Sequence, residues 1–197
     1  MSARALRCYS RPVLKDLVTS RKAALIAALS LIALGFGATL WWQSGRVSDA
    51  VVTEAVNDHL RVLYAAKAVE VESAVPAQIR TWFSGRLDFA PAIDFAGDKE
   101  FALQGASVAY FLDRKAAAFV YKRGNQVASV LAFRASGLPL ALRGSGGLER
   151  VSASKVRMRG FTVLLWRDSD LGYALVSDLG DAELVRLGNK ISAAAPQ

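Results

Sequence analysis

The chain has 197 residues, 53% hydrophobic and 21% charged, which excludes disorder throughout and allows one ordinary domain plus a membrane segment. One cysteine, Cys8, excludes an intrachain disulfide and any multi-cysteine zinc site, and a lone histidine, His59, argues against a histidine metal cage. The net charge of +8 is lopsided, +5 in residues 1–22 and +3 in the rest, so most of it reads as a topology signal and not as a nucleic-acid surface.

Residues 23–42, AALIAALSLIALGFGATLWW, carry no charge. As a helix they span roughly 30 Å, the hydrocarbon thickness of a bilayer. Arg21 and Lys22 stand at one end and Trp41 and Trp42 at the other, where indole rings favour the interface. The six basic residues before the run place that side in the cytoplasm. A cleaved signal peptide fits less well, because the run is long and Ala38–Trp42 is a poor small-residue cleavage site. The expectation is a basic cytoplasmic tail (1–22), a transmembrane helix (23–42) and a periplasmic domain (43–197) anchored in a bacterial inner membrane.

After a polar link, 43–50, a helix is expected to begin at Ser48 or Asp49. Val52, Val56, His59, Leu60 and Leu63 share one face, and Thr53, Glu54, Asn57, Asp58 and Arg61 the other. His59 sits on the edge of the apolar face, where packing, metal ligation and pH sensing are all open to it.

Residues 68–73 alternate like a short strand, and Pro76 suits the first turn of a helix ending near Phe83. The stretch from Thr81 to Pro91 then crowds Trp82, Phe83, Leu87 and Phe89 together around Arg86 and Asp88. These side chains can plug one edge of the core or line a groove for a partner. Trp82, Phe83, Arg86, Asp88 and Phe89 are the candidate partner-binding residues of the outer domain.

Three strands follow, 101–112, 115–123 and 126–134, with tight turns at Asp113-Arg114 and Gly124-Asn125, and they predict an antiparallel meander. Residues 135–158 are glycine-rich and basic, which reads as a surface loop or as a contact for anionic lipid or an acidic partner. Strands at 160–167 and 172–177 flank a turn at Asp168-Ser169-Asp170. Asp178 can cap a last helix, 179–191. The expected fold class is α+β: a single N-terminal transmembrane helix, then a five-stranded antiparallel sheet with helices packed on one face.

The pieces Asp58-His59-Leu60-Arg61, Trp82 through Pro91, Ala118 through Gly124, Gly160-Phe161 with Trp166, and Tyr173 through Leu179 occur in that order across residues 47–190. In this order and spacing the chain resembles the extracytoplasmic domain of bacterial transmembrane anti-sigma factors, a family of membrane transcriptional regulators. The resemblance implies a cytoplasmic segment that holds an extracytoplasmic-function sigma factor inactive, and an outer domain that senses a signal. Many members carry a His-x3-Cys-x2-Cys zinc finger before the membrane helix, whereas residues 1–22 have no histidine and only Cys8. Val13, Leu14, Leu17 and Val18 give the tail a small apolar face, which serves either as a minimal sigma-binding helix or as part of a plain topology signal.

No catalytic constellation is legible. Any nucleophile–histidine–acid triad must use His59, there is no Gly-x-Ser-x-Gly elbow, and Gly144-Ser145-Gly146-Gly147 lacks the Lys-Ser/Thr of a phosphate loop. Asp168-Ser169-Asp170 offers oxygens to calcium without the rest of an EF-hand loop. No cofactor and no direct nucleic-acid contact is expected. The sequence reads as a non-enzymatic, single-pass regulator of the anti-sigma type. The alternative is a membrane-tethered periplasmic binding or assembly module with no signalling role.

Overall fold

The structure is a computed structural model and describes residues 49–138, 140 and 147–194. The tail 1–22, with Val13, Leu14 and Leu17, and the apolar run 23–42 lie outside the described residues. Among the described residues no helix is long and apolar enough to cross a membrane.

Helix α1 (Asp49–Tyr64) starts with an acidic residue in its first turn, where the helix dipole favours one, and has Arg61 in its last. Strand β1 (Val71–Glu72) is short, and α2 (Pro76–Phe83) begins on a proline whose missing N–H costs a helix nothing there. Then come β2 (Ala102–Phe111), β3 (Arg114–Arg123), β4 (Gln126–Arg134), β5 (Ala153–Met158), β6 (Phe161–Asp168) and β7 (Leu171–Ser177). Helix α3 (Asp181–Ala193) closes the chain, its Glu183 carboxylate accepting the Gly180 N–H at 3.1 Å.

All the strands join one antiparallel sheet in the order β1-β2-β3-β4-β7-β6-β5. The expected five-stranded sheet is therefore corrected to seven strands. The additions are the two edges, β1 and β5. Strand β5 lies inside the segment read as a basic surface loop; Lys155 and Arg157 do alternate with Val156 and Met158 as in a strand, but this short signal follows a run of glycines and cations whose composition reads as loop.

The expectation of helices on one face is also corrected. α1 covers one face, where Val51, Val52, Ala55 and Val56 cluster with Phe111, Leu131, Phe133, Leu165 and Val176. α2 and α3 cover the other, where Ile79, Phe83, Leu184, Leu187 and Ile191 cluster with Phe119, Tyr121, Trp166 and Leu175. Every residue from Ala116 to Tyr121 is buried, so β3 has no solvent face. On the α3 side the close approach depends on Gly188, where a Cβ would lie 2.9 Å from a Leu164 methyl carbon.

The buried face of α1 differs by a small rotation from the one expected. Val62 is buried where Leu63 was expected and Leu63 is 39% exposed, while Asp58 turns inward and is buried. His59 is buried against the sheet. Its Nδ1 lies 2.8 Å from the Ser129 hydroxyl on β4, and the Phe161 ring meets it edge-on at 4.9 Å. Its Nε2 has no partner among the described residues.

Burial lowers the His59 pKa from its ordinary 6.5 to about 4, against a weaker opposing pull from Asp178. The unfolded chain therefore takes up a proton near pH 6.5 that the folded chain accepts only near pH 4. Stability contributed by the neutral imidazole is complete above 6.5 and is lost as pH falls through that window. His59→Gln, which cannot titrate, should lack about 3 kcal/mol of the wild-type loss between pH 7 and 4. Denaturant midpoints of the two proteins across that range measure the difference; parallel curves would contradict the buried neutral histidine.

Candidate functional site

Helix α2 ends at Phe83 because the chain must turn to bring the following residues back over the sheet. The Ser84 N–H bonds the Thr81 carbonyl at 3.1 Å, and Gly85 adopts φ +75°, a conformation favoured by glycine. The loop that follows carries most of the residues singled out in the sequence, and the structure divides them between core and rim. Phe83 is buried, its ring 5.7 Å from Phe119 on β3. Trp82 is half-buried, with its ring edge on Phe83 at 5.1 Å. Phe89 is half-buried, whereas Arg86 and Asp88 are exposed.

Three cations hold this loop in place. The Arg134 guanidinium, at the end of β4, donates from Nε to the Asp88 carboxylate at 3.1 Å and from Nη2 to the Asp88 carbonyl at 2.7 Å. Lys115, at the start of β3, donates to the Arg86 carbonyl at 3.0 Å. Arg86 itself lies 4.6 Å over the Trp82 ring and donates to the Trp82 carbonyl at 2.6 Å. An Arg80–Asp94 ion pair braces the far side. Exposed ion pairs contribute little each, but bonds from arginine and lysine to backbone carbonyls fix where a loop runs.

The result is an open surface cleft of about 420 Å³. Phe83, Leu87, Phe89 and Pro91 give it apolar walls, and Arg80 and Asp88 give it opposite charges at the rim. Such a cleft can take one apolar side chain of a partner with a polar flank. Arg134 and Lys115 were not foreseen as part of it. Both sit at strand ends, and nothing in their local sequence says which loop they reach.

Two polar clusters around helix α3 are internally paired. Glu100 meets Arg186 at 2.9 Å, Lys190 at 3.1 Å and Arg123 at 3.5 Å, and Arg123 also pairs with Glu183. Hydrogen bonds from Lys190 and from the Phe101 backbone hold the Asp98 carboxyl down at about 2. These contacts tie α3 to the ends of β2 and β3 and frame Phe101, with the Lys190 ammonium 5.0 Å from its ring. Asp181 is held at about 2 by hydrogen bonds from Lys155 and Arg157. Among the described residues no group of His, Cys, Asp and Glu could hold a metal ion.

Arg134→Gln removes both bonds to Asp88 and should loosen the loop without unfolding the sheet. Losing about 1 kcal/mol of local protection corresponds to roughly fivefold more frequent opening. Tryptic cleavage after Arg86 in the folded protein should accelerate by about that factor, while the thermal midpoint moves little. An unchanged cleavage rate would mean that Arg134 does not hold the loop.

No family model matches this chain, and no curated protein matches it in sequence, so the reading of the cleft rests on its own geometry.

Proposed function

We propose that this protein is a membrane-anchored, non-enzymatic regulator of the anti-sigma type, whose outer domain receives a signal or partner at the cleft lined by Phe83, Leu87, Asp88, Phe89 and Pro91. The observation that carries this reading is the pinned loop. Its walls are apolar and its rim is charged, while Arg134 and Lys115 hold its backbone in a preformed position with Arg86 and Asp88 exposed. A preformed surface lowers the ordering cost of binding. The uncharged run 23–42 and the six preceding cations support an anchor with the tail inside. The apolar face of Val13, Leu14 and Leu17 then serves as the contact for an extracytoplasmic-function sigma factor.

The test is photocrosslinking from position 14 of the full-length protein in its own membrane. An adduct with a sigma factor supports the proposal, and its absence from a chain that fractionates with membrane contradicts it. Deleting residues 1–18 while keeping Arg21 and Lys22 should release transcription from that sigma factor. If the cell's phenotype is indifferent to the deletion but sensitive to Arg86→Glu, the protein is a tethered binding or assembly module instead.

A further inference from the structure

The β1 edge of the sheet is unfinished. Strand β1 pairs with β2 only at Gly105 and Ala106, and among the described residues no strand lies beside β2 from Val108 to Phe111. The β1 contact is close because residue 105 is glycine: at φ +148° a Cβ there would collide with the Val71 carbonyl oxygen. Phe111 and Arg114 flank the two-residue turn to β3 and are register partners. In such a hairpin the flanking pair exchanges both main-chain bonds, and alternation then turns the N–H and C=O of Val108 and Tyr110 away from β3.

The edge is only partly capped. The Val108 N–H donates to the Glu70 carboxylate at 3.2 Å, a side chain standing where a strand carbonyl would be. Tyr110 is 70% exposed. Natural sheets blunt such edges or use them to bind an added strand.

Beside this edge lies a second cleft, of about 320 Å³, between α1 and β2. Glu54, Asn57, Asp58 and Arg61 line one side and Ala109 and Tyr110 the other. Asp58 is only 7% exposed. Its Oδ1 accepts from Arg61 Nε at 2.9 Å, but its Oδ2 is buried with no partner among the described residues. The Ser107 hydroxyl, two residues before Ala109 on the same face of β2, is also buried with no partner among the described residues. An unsatisfied buried carboxylate oxygen is costly, and a cation is the group that best satisfies it.

We infer that the β2 edge from Val108 to Phe111 binds an extended peptide as an additional strand, and that a lysine or arginine of that peptide enters the α1–β2 cleft to meet Asp58. The main-chain groups of Val108 and Tyr110 supply the pairing, with Glu70 displaced. Charge selects the occupant: Glu54 and Asp58 in the cleft and Glu70 at the strand edge outnumber Arg61 and Arg159, the latter already donating to Asn57. A second copy of this chain paired two-fold on the same edge would set those carboxylates against their equivalents.

The probes are two fluorescent heptapeptides of alternating threonine and valine, one with a central lysine and one with glutamate there, titrated into the full-length protein in detergent. The chain's +8 charge would by itself favour the glutamate peptide, so preference for lysine is diagnostic. The lysine peptide should bind at least about tenfold more tightly. Asp58→Asn should erase the preference. N-methylating alternate peptide nitrogens, which leaves the protein untouched, should abolish binding if the methyls fall on the nitrogens that face β2. Methylating the other set should not. Equal binding of the two peptides, indifference to both methylation patterns, or no binding at millimolar concentration would overturn the inference. So would a protein dimer that the lysine peptide fails to dissociate.

Discussion

The fold depends on a sheet that is apolar on both faces. In β3, β4, β6 and β7 the core positions do not alternate with polar ones; Ala116–Tyr121, Ala128–Phe133, Thr162–Trp166 and Gly172–Ser177 are buried throughout. Leaving either face wet would forgo about 1.5–3 kcal/mol for each large side chain on it. Hence α1 lies on one side and α2 with α3 on the other. The polar groups drawn into these layers are paired where they can be. Tyr121 donates to the Phe95 carbonyl at 2.8 Å, and Ser177 to the Val127 carbonyl at 2.7 Å.

The same demand shapes the cleft. Phe83 and Ile93 are core residues, one before and one after the cleft loop, so the intervening chain is fixed at both ends by burial. Trp82, Leu87 and Phe95 pack against that core while Arg86 and Asp88 stay outside. One short stretch thus divides its side chains between the core and the surface. Any substitution of Phe83 would act on the core and on the cleft wall together.

The elements with a strong local signal were legible. Gly124-Asn125 set the β3–β4 turn and Pro76 the start of α2, and the last helix was legible too, although it begins at Asp181 behind Gly180 and is not capped by Asp178. What failed was local signal diluted by neighbours. The β2–β3 turn falls at Leu112-Asp113, with Leu112 at φ +56°, because strand register and not residue preference places it. The near-continuous apolar runs AAAFVY and SVLAF did carry the sign of a sheet covered twice, but alternate positions within them fit a one-faced reading equally well. Of the candidate partner residues, Phe83, Asp88 and Phe89 line the cleft, while Arg86 stacks over Trp82 outside its lining. Their anchors at residues 115 and 134 lie far along the chain, and one sequence does not show a contact between distant residues.

The strand order has a kinetic consequence. β2, β3 and β4 form one meander, and β5, β6 and β7 another, each closed by two-residue turns. Only the β4–β7 ladder joins them, with Val130 opposite Leu175. Closing that loop costs more chain entropy than closing either hairpin set, so the ladder is the non-local step on which assembly waits. Until it forms, each meander presents a bare apolar strand edge, β4 in one and β7 in the other. A nascent chain halted between the two meanders would carry an exposed β4 edge able to pair with another chain.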